Sequence, residues 1–175
     1  LDINSIGDRE SVNRFERDLS THFRKNNHLL SAKIKQDFKK NIYSVLKNNS
    51  SETKEWKDLA PQTLGSLSDL SRQHFKEVLE SVEMFDVPYK INPHIVSNKL
   101  YSSYTVFEIR MISEKKDEDG EILAYGYRYN HLAKKLGGKK EVPTIGATIF
   151  VNKQKTGSKK VIIKTILIVN PKISM

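Results

Sequence analysis

Near Pro88 the chain changes its hydrophobic rhythm, and the change divides it into a helical half and a strand half. Before that proline, Val12, Phe15, Leu19 and Phe23 recur every three or four residues, the spacing of one helix face, with Asp8 placed to cap the start. Ile34, Phe38, Ile42 and Leu46 repeat the pattern after Ser31. The polar run 48–51 reads as a loop, and Trp56, set among charges, as a local packing anchor. A third helix starts at Ser68 and carries Phe75, Val78, Leu79 and Val82 on one side. Pro88 closes the region, because the residue before a proline avoids helical angles.

Beyond it the period falls to two. Residues 89–96, 104–112, 122–129, 145–151 and 160–170 read as strands. Residues 117–120 form a polar turn, 152–158 a loop, and 131–136 a short helix ended by Gly137-Gly138. Helices followed by an antiparallel sheet make the expected class α+β.

Charge follows the same division. Residues 1–86 hold 14 Lys/Arg and 14 Asp/Glu, so the net charge of +9 resides in residues 87–175, with 16 against 7. The neutral half still has a basic stretch: Arg24, Lys25, Lys33, Lys35, Lys39, Lys40 and Lys47 face Asp37 alone. Such surface attracts phosphate, or is simply a solvated helix face. There is no cysteine, which excludes disulfides and thiolate metal sites. No apolar run approaches the roughly 20 residues of a membrane span. The chain opens Leu-Asp-Ile-Asn without a methionine and is read as cut from a longer protein. None of the common nucleotide, zinc-protease or hydrolase motifs occurs. The five histidines do not pair at metal spacing, and Asp117, Glu118, Asp119 and Glu121 lack the ligand spacing of a calcium loop, so no metal site is expected.

Three blocks carry more. They are Leu1-Asp2-Ile3-Asn4-Ser5-Ile6-Gly7 before a helix; Ile91-Asn92-Pro93-His94-Ile95-Val96 followed by Tyr104-Thr105-Val106-Phe107-Glu108; and Gly126-Tyr127-Arg128-Tyr129-Asn130-His131-Leu132 with Leu136-Gly137-Gly138 and Val142-Pro143-Thr144-Ile145-Gly146 behind it. In order and spacing they resemble the catalytic domain of histidyl-tRNA synthetases. The resemblance implies a class II synthetase-like antiparallel sheet with flanking helices. Residues 1–8 and 87–175 would form part of the catalytic core, and 9–86 a helical insertion near tRNA. It implies ATP and Mg as the family's cofactors, tRNA as partner, a homodimer in the parent, a cytoplasmic setting, and no role for DNA or membrane. Lys33, Lys35, Lys39 and Lys40 would then meet tRNA phosphates.

The family's catalytic positions are altered. The catalytic Arg, beside the developing adenylate charge, is Ser97, with Asn98, Lys99 and Leu100 following. Among the histidine-pocket positions Tyr101, Gly126, Arg128 and Tyr129 remain, whereas Ser102 and Tyr127 replace a Tyr and a Gly. Phe150 stands where a Gly would leave room for nucleotide, and Lys153 where an Arg would clamp ATP phosphates. Val106, Phe107, Leu132, Leu136, Pro143 and Ile145 read as core positions kept beside that changed site. The family's first two class II motifs would lie before Leu1. Two expectations stand: a fragment of a divergent ligase, inactive alone, or a non-catalytic module that binds tRNA or regulates a partner enzyme or kinase.

Overall fold

The computed structural model describes residues 1–48, 50–97, 102–112, 120–152 and 161–169. A six-stranded sheet carries the fold, in the order β2-β1-β3-β4-β5-β6. The strands are β1 (Asp2–Gly7), β2 (Lys90–Ile91), β3 (Tyr104–Arg110), β4 (Ile122–Tyr129), β5 (Thr144–Asn152) and β6 (Val161–Val169). Only β1 and β2 run parallel; every other pair is antiparallel. Between β1 and β2 come the helices α1 (Arg9–Asn26), α2 (Ala32–Lys40), α3 (Ser44–Lys47), α4 (Ser51–Asp58) and α5 (Asp69–Met84). The short α6 (Leu132–Lys135) links β4 to β5 and gives way to Gly137 at φ +92°, which suits glycine. The α+β expectation holds.

The entry into α1 is fixed chemically. The Asp8 carboxylate accepts from the Ser11 backbone N–H at 2.9 Å and from its hydroxyl at 2.8 Å. It also accepts from the Ser68 hydroxyl at 2.7 Å. Ser68 caps α5 by accepting from the Ser71 N–H. One cluster of short polar side chains therefore starts both long helices side by side.

The helices share a core of Phe15, Leu19, Leu30, Ile34, Phe38, Tyr43, Val45, Leu46 and Trp56. Trp56 on α4 is fully buried, so the anchor reading is correct, although the sequence pattern did not show the helix that carries it. Val96, from beyond β2, enters the same cluster and joins the helical half to the sheet half.

Three expectations change. The second helical pattern does not run through to Leu46. Asn41 turns extended, and its side chain accepts from the Tyr43 N–H at 2.9 Å, a local bond that competes with the helix. The strand expected at 89–96 shrinks to two residues. Pro93 has no N–H for a ladder, and the Ile95 N–H turns back onto the Asn92 carbonyl at 3.2 Å. Finally, Leu136 is 78% exposed and Ile145 38%, so neither is a core residue. Val106, by contrast, is completely buried. The expected turn at 117–119 and loop at 153–158 lie outside the described residues.

Candidate functional site

Strand alternation sorts the singled-out residues onto two sides of the sheet. On one side stand Tyr125, Tyr127 and Tyr129, every second residue of β4. Their rings form a ladder with centroids 5.6 and 6.2 Å apart, and Phe150 extends it 5.8 Å from Tyr125. Tyr127 also packs against Ile6, Ile95 and Val106. Burial, then its tyrosine neighbours, pushes its phenol up to about 12, so it stays a neutral ring in this apolar setting.

Ser97 and Ser102 are buried, 2% and 5% exposed, and their hydroxyls hydrogen-bond each other. Two small hydroxyl side chains meet at the point where the resemblance places a guanidinium and a phenol. Beside the tyrosine ladder lies a polar cleft of about 380 Å3 whose lining includes Lys47, Lys57, His94, Glu108, Arg110, Tyr125 and Tyr127, and a second hollow of about 800 Å3 takes in Gly7, Val12, Ser102, Ser103 and His131. Burial pushes both the Lys57 ammonium and the His94 imidazole down from their usual values, with Lys57 adding to the effect on His94 and Asp58 opposing each.

Gly126 and Arg128 belong to the opposite side. A Cβ on Gly126 would meet the Phe107 ring at 2.3 Å and the Gly146 carbonyl at 2.6 Å, so close packing alone accounts for the glycine. The Arg128 guanidinium donates to His74 Nε2 at 2.8 Å and to Asn130 Oδ1 at 3.0 Å, and lies 5.5 Å from the Tyr104 ring centre. Burial, and then Arg128 itself, push the His74 imidazole below its usual value against the opposing Glu77, which keeps the ring neutral and able to accept. The five described pocket positions therefore do not converge: Tyr127 and Tyr129 share a side, Ser102 lies in the approach to β3, Gly126 and Arg128 face away. Tyr101 and Lys153 fall outside the described residues.

Of the α2 lysines, Lys33, Lys39 and Lys40 are exposed and Lys35 is half-buried. Ile34 and Phe38 fill the stripe between them. Lys39 and Lys40 border a hollow that α2 shares with α1, where Arg24 joins them; Lys33 and Lys35 do not line it. Residue patterns missed Tyr125 and His74. The period-two run of tyrosines was a visible signal for the first, but nothing local signals a histidine that meets Arg128 54 residues on. Among the described residues no three His, Asp or Glu side chains are grouped to hold a metal, and no helix is long and apolar enough to cross a membrane.

No protein-family model matches the chain. Individual relatives do. The chain is 30% identical over 149 residues to a histidine–tRNA ligase of Rippkaea orientalis, which is 85% of this chain and 34% of that protein. It is 31% identical to the ligase of Wolbachia pipientis over 83% of the chain and 35% of the relative. It is 33% identical to that of Blochmanniella pennsylvanica over 85% of the chain and 33% of the relative. By descent this stretch belongs to the histidyl-tRNA synthetase family. The fold agrees: a crystal structure of apo Staphylococcus aureus histidyl-tRNA synthetase superposes with a TM-score of 0.59 at 24% identity, over 84% of this chain and 34% of the synthetase. The chain spans about a third of the length of these synthetase relatives.

Proposed function

We propose that this chain is a histidyl-tRNA synthetase-derived module that binds tRNA and does not activate histidine. The observation that carries the reading is the set of side chains at positions 97, 102 and 127. A side chain as large as Tyr127 is packed among Ile6, Ile95 and Val106, where the family resemblance calls for a glycine against which ligand could lie. Ser97 and Ser102 hydrogen-bond each other and bring no positive charge. Adenylate formation develops negative charge that a fixed cation must meet, and a hydroxyl does not replace a guanidinium fork there. The described residues on this face do not suit ATP with Mg, and no catalytic step is assigned to them.

Binding to tRNA is supported by the relatives' activity as tRNA ligases and by the exposed cations of α1 and α2. Phosphate contact needs neither a deep pocket nor a conserved catalytic group, so it survives changes that close a small-molecule site. The deciding experiment is histidine-dependent ATP–pyrophosphate exchange on the protein at its full natural length, paired with tRNA binding. No exchange above background with retained, salt-sensitive binding is the expected result. Robust exchange would mean a divergent ligase and reject this reading.

A further inference from the structure

Three cations of the helical half border a concave surface. Arg24 on α1 and Lys39 and Lys40 at the end of α2 surround a hollow of about 730 Å3, whose lining also includes the apolar or aromatic side chains Phe23, Phe38 and Ile42. A second hollow of about 610 Å3 shares Glu16, Ser20, Arg24 and Ile42 with the first and adds Arg17. Together they make one trough along α1 from Asn13 to Arg24, about 16 Å of helix.

Its charge is one-sided. Glu16 is the only carboxylate on the lining, and it already accepts a hydrogen bond from the Tyr43 hydroxyl at 2.9 Å. Among the described residues no carboxylate forms a salt bridge with Arg17, Arg24, Lys39 or Lys40. The apolar part combines Ile42 with aromatic rings. Phe23 is half-buried and stacks on the buried Phe38 with ring centres 3.7 Å apart and planes 2° from parallel, a rigid platform.

We propose that this trough holds an unpaired stretch of RNA, a base entering against Phe23 while the neighbouring phosphates meet Arg17, Arg24, Lys39 and Lys40. The proposal rests on the RNA-binding reading above and narrows it to one kind of strand. A duplex keeps its bases stacked inside and offers a convex backbone, which touches the rim of a trough and leaves its aromatic floor unused. A single strand can put a base inside, and a cationic groove with an aromatic platform is the combination that binds such strands. The hollow falls within the roughly 300–1,000 Å3 that encloses small ligands, large enough for a nucleotide.

The test is fluorescence anisotropy with a labelled single-stranded RNA of about 12 nucleotides, and with the same strand annealed to its complement, over a range of salt. The single strand is expected to bind about ten-fold or more tightly than the duplex at equal salt. Arg24→Ala, Lys39→Ala and Lys40→Ala should each flatten the salt dependence of single-strand binding by about 0.7 of a log unit per log unit. Phe23→Leu should weaken it about five-fold and leave the salt slope unchanged, the low end of what one base–aromatic stack contributes. Lys54→Ala, an exposed lysine on α4 away from the trough, should change neither. Equal or tighter duplex binding, or equal losses on both ligands, would reject the trough while leaving RNA binding in place. No binding of either ligand would reject both. If Phe23→Leu melts at a lower temperature, the three surface cations still decide, because their removal leaves the core untouched.

Discussion

Asn4 commits its whole side chain to the protein interior. Its amide nitrogen donates to the Thr63 hydroxyl at 3.0 Å and to the Ile95 carbonyl at 2.9 Å, and Thr63 donates back to its oxygen at 3.2 Å. One residue thus ties the centre of β1 to the turn before α5 and to the chain after β2. Replacing it with Leu strands a buried hydroxyl and a buried carbonyl, and should cost about 2–4 kcal/mol in urea unfolding. Asp8 makes a different kind of prediction. Burial works to raise its carboxyl, but the hydrogen bonds from Ser11, Ser68 and Ser71 outweigh that and hold it below the ordinary value. A lowered folded value stabilises the native state above the unfolded carboxyl's own titration, and that stability is lost as pH falls through the folded value. A melting-temperature profile taken down through the carboxylate range should therefore drop less steeply for Asp8→Asn, which still caps the helix but cannot titrate. Parallel profiles would show that Asp8 contributes nothing to acid unfolding. At this scale the sequence was partly legible: Asp8 announces itself by its place before an apolar period. Asn4 stood out only within the family resemblance, because its partners lie 59 and 91 residues away.

Elements were read well where one periodic pattern ran uninterrupted. α1 and α5 begin at the expected caps, and β3, β4 and β5 fall within a few residues of the expected strands. The misreadings share a cause, which is competition from side chain to backbone bonds or from proline. Asn41 splits one expected helix and Pro93 truncates one expected strand. α4 escaped notice because its buried face consists of only Thr53 and Trp56, too few points to show a period. Across the sheet, β4 is held close to β3 and β5 at Gly126. Gly126→Ala pushes a methyl into the Phe107 ring and, less yieldingly, into the Gly146 carbonyl. The expected loss is about 2 kcal/mol or more by thermal or denaturant melting. A neutral result would show that the β4–β5 pair relaxes without strain, and would take away the packing account of this glycine.

At the level of the whole molecule, the residues at positions 97 and 127 bear on how changes at the sheet couple. Ser97→Arg forces a guanidinium into a position only 2% exposed, beside Ser102. An uncompensated buried charge of that kind costs about 3–5 kcal/mol. Tyr127→Gly alone opens a void between Ile6, Ile95 and Val106 and loses an aromatic side chain's packing. If the two positions share one space, the changes made together relieve each other, because the room vacated by the ring admits solvent or an anion to the arginine. A double-mutant cycle on unfolding free energy should therefore show the pair destabilising by at least 1 kcal/mol less than the sum of the single changes, within the usual range of such coupling. Strict additivity would mean that the two positions do not share one space. If they do, a change at either position alone costs more than the two made together, and the order in which such changes can accumulate is constrained.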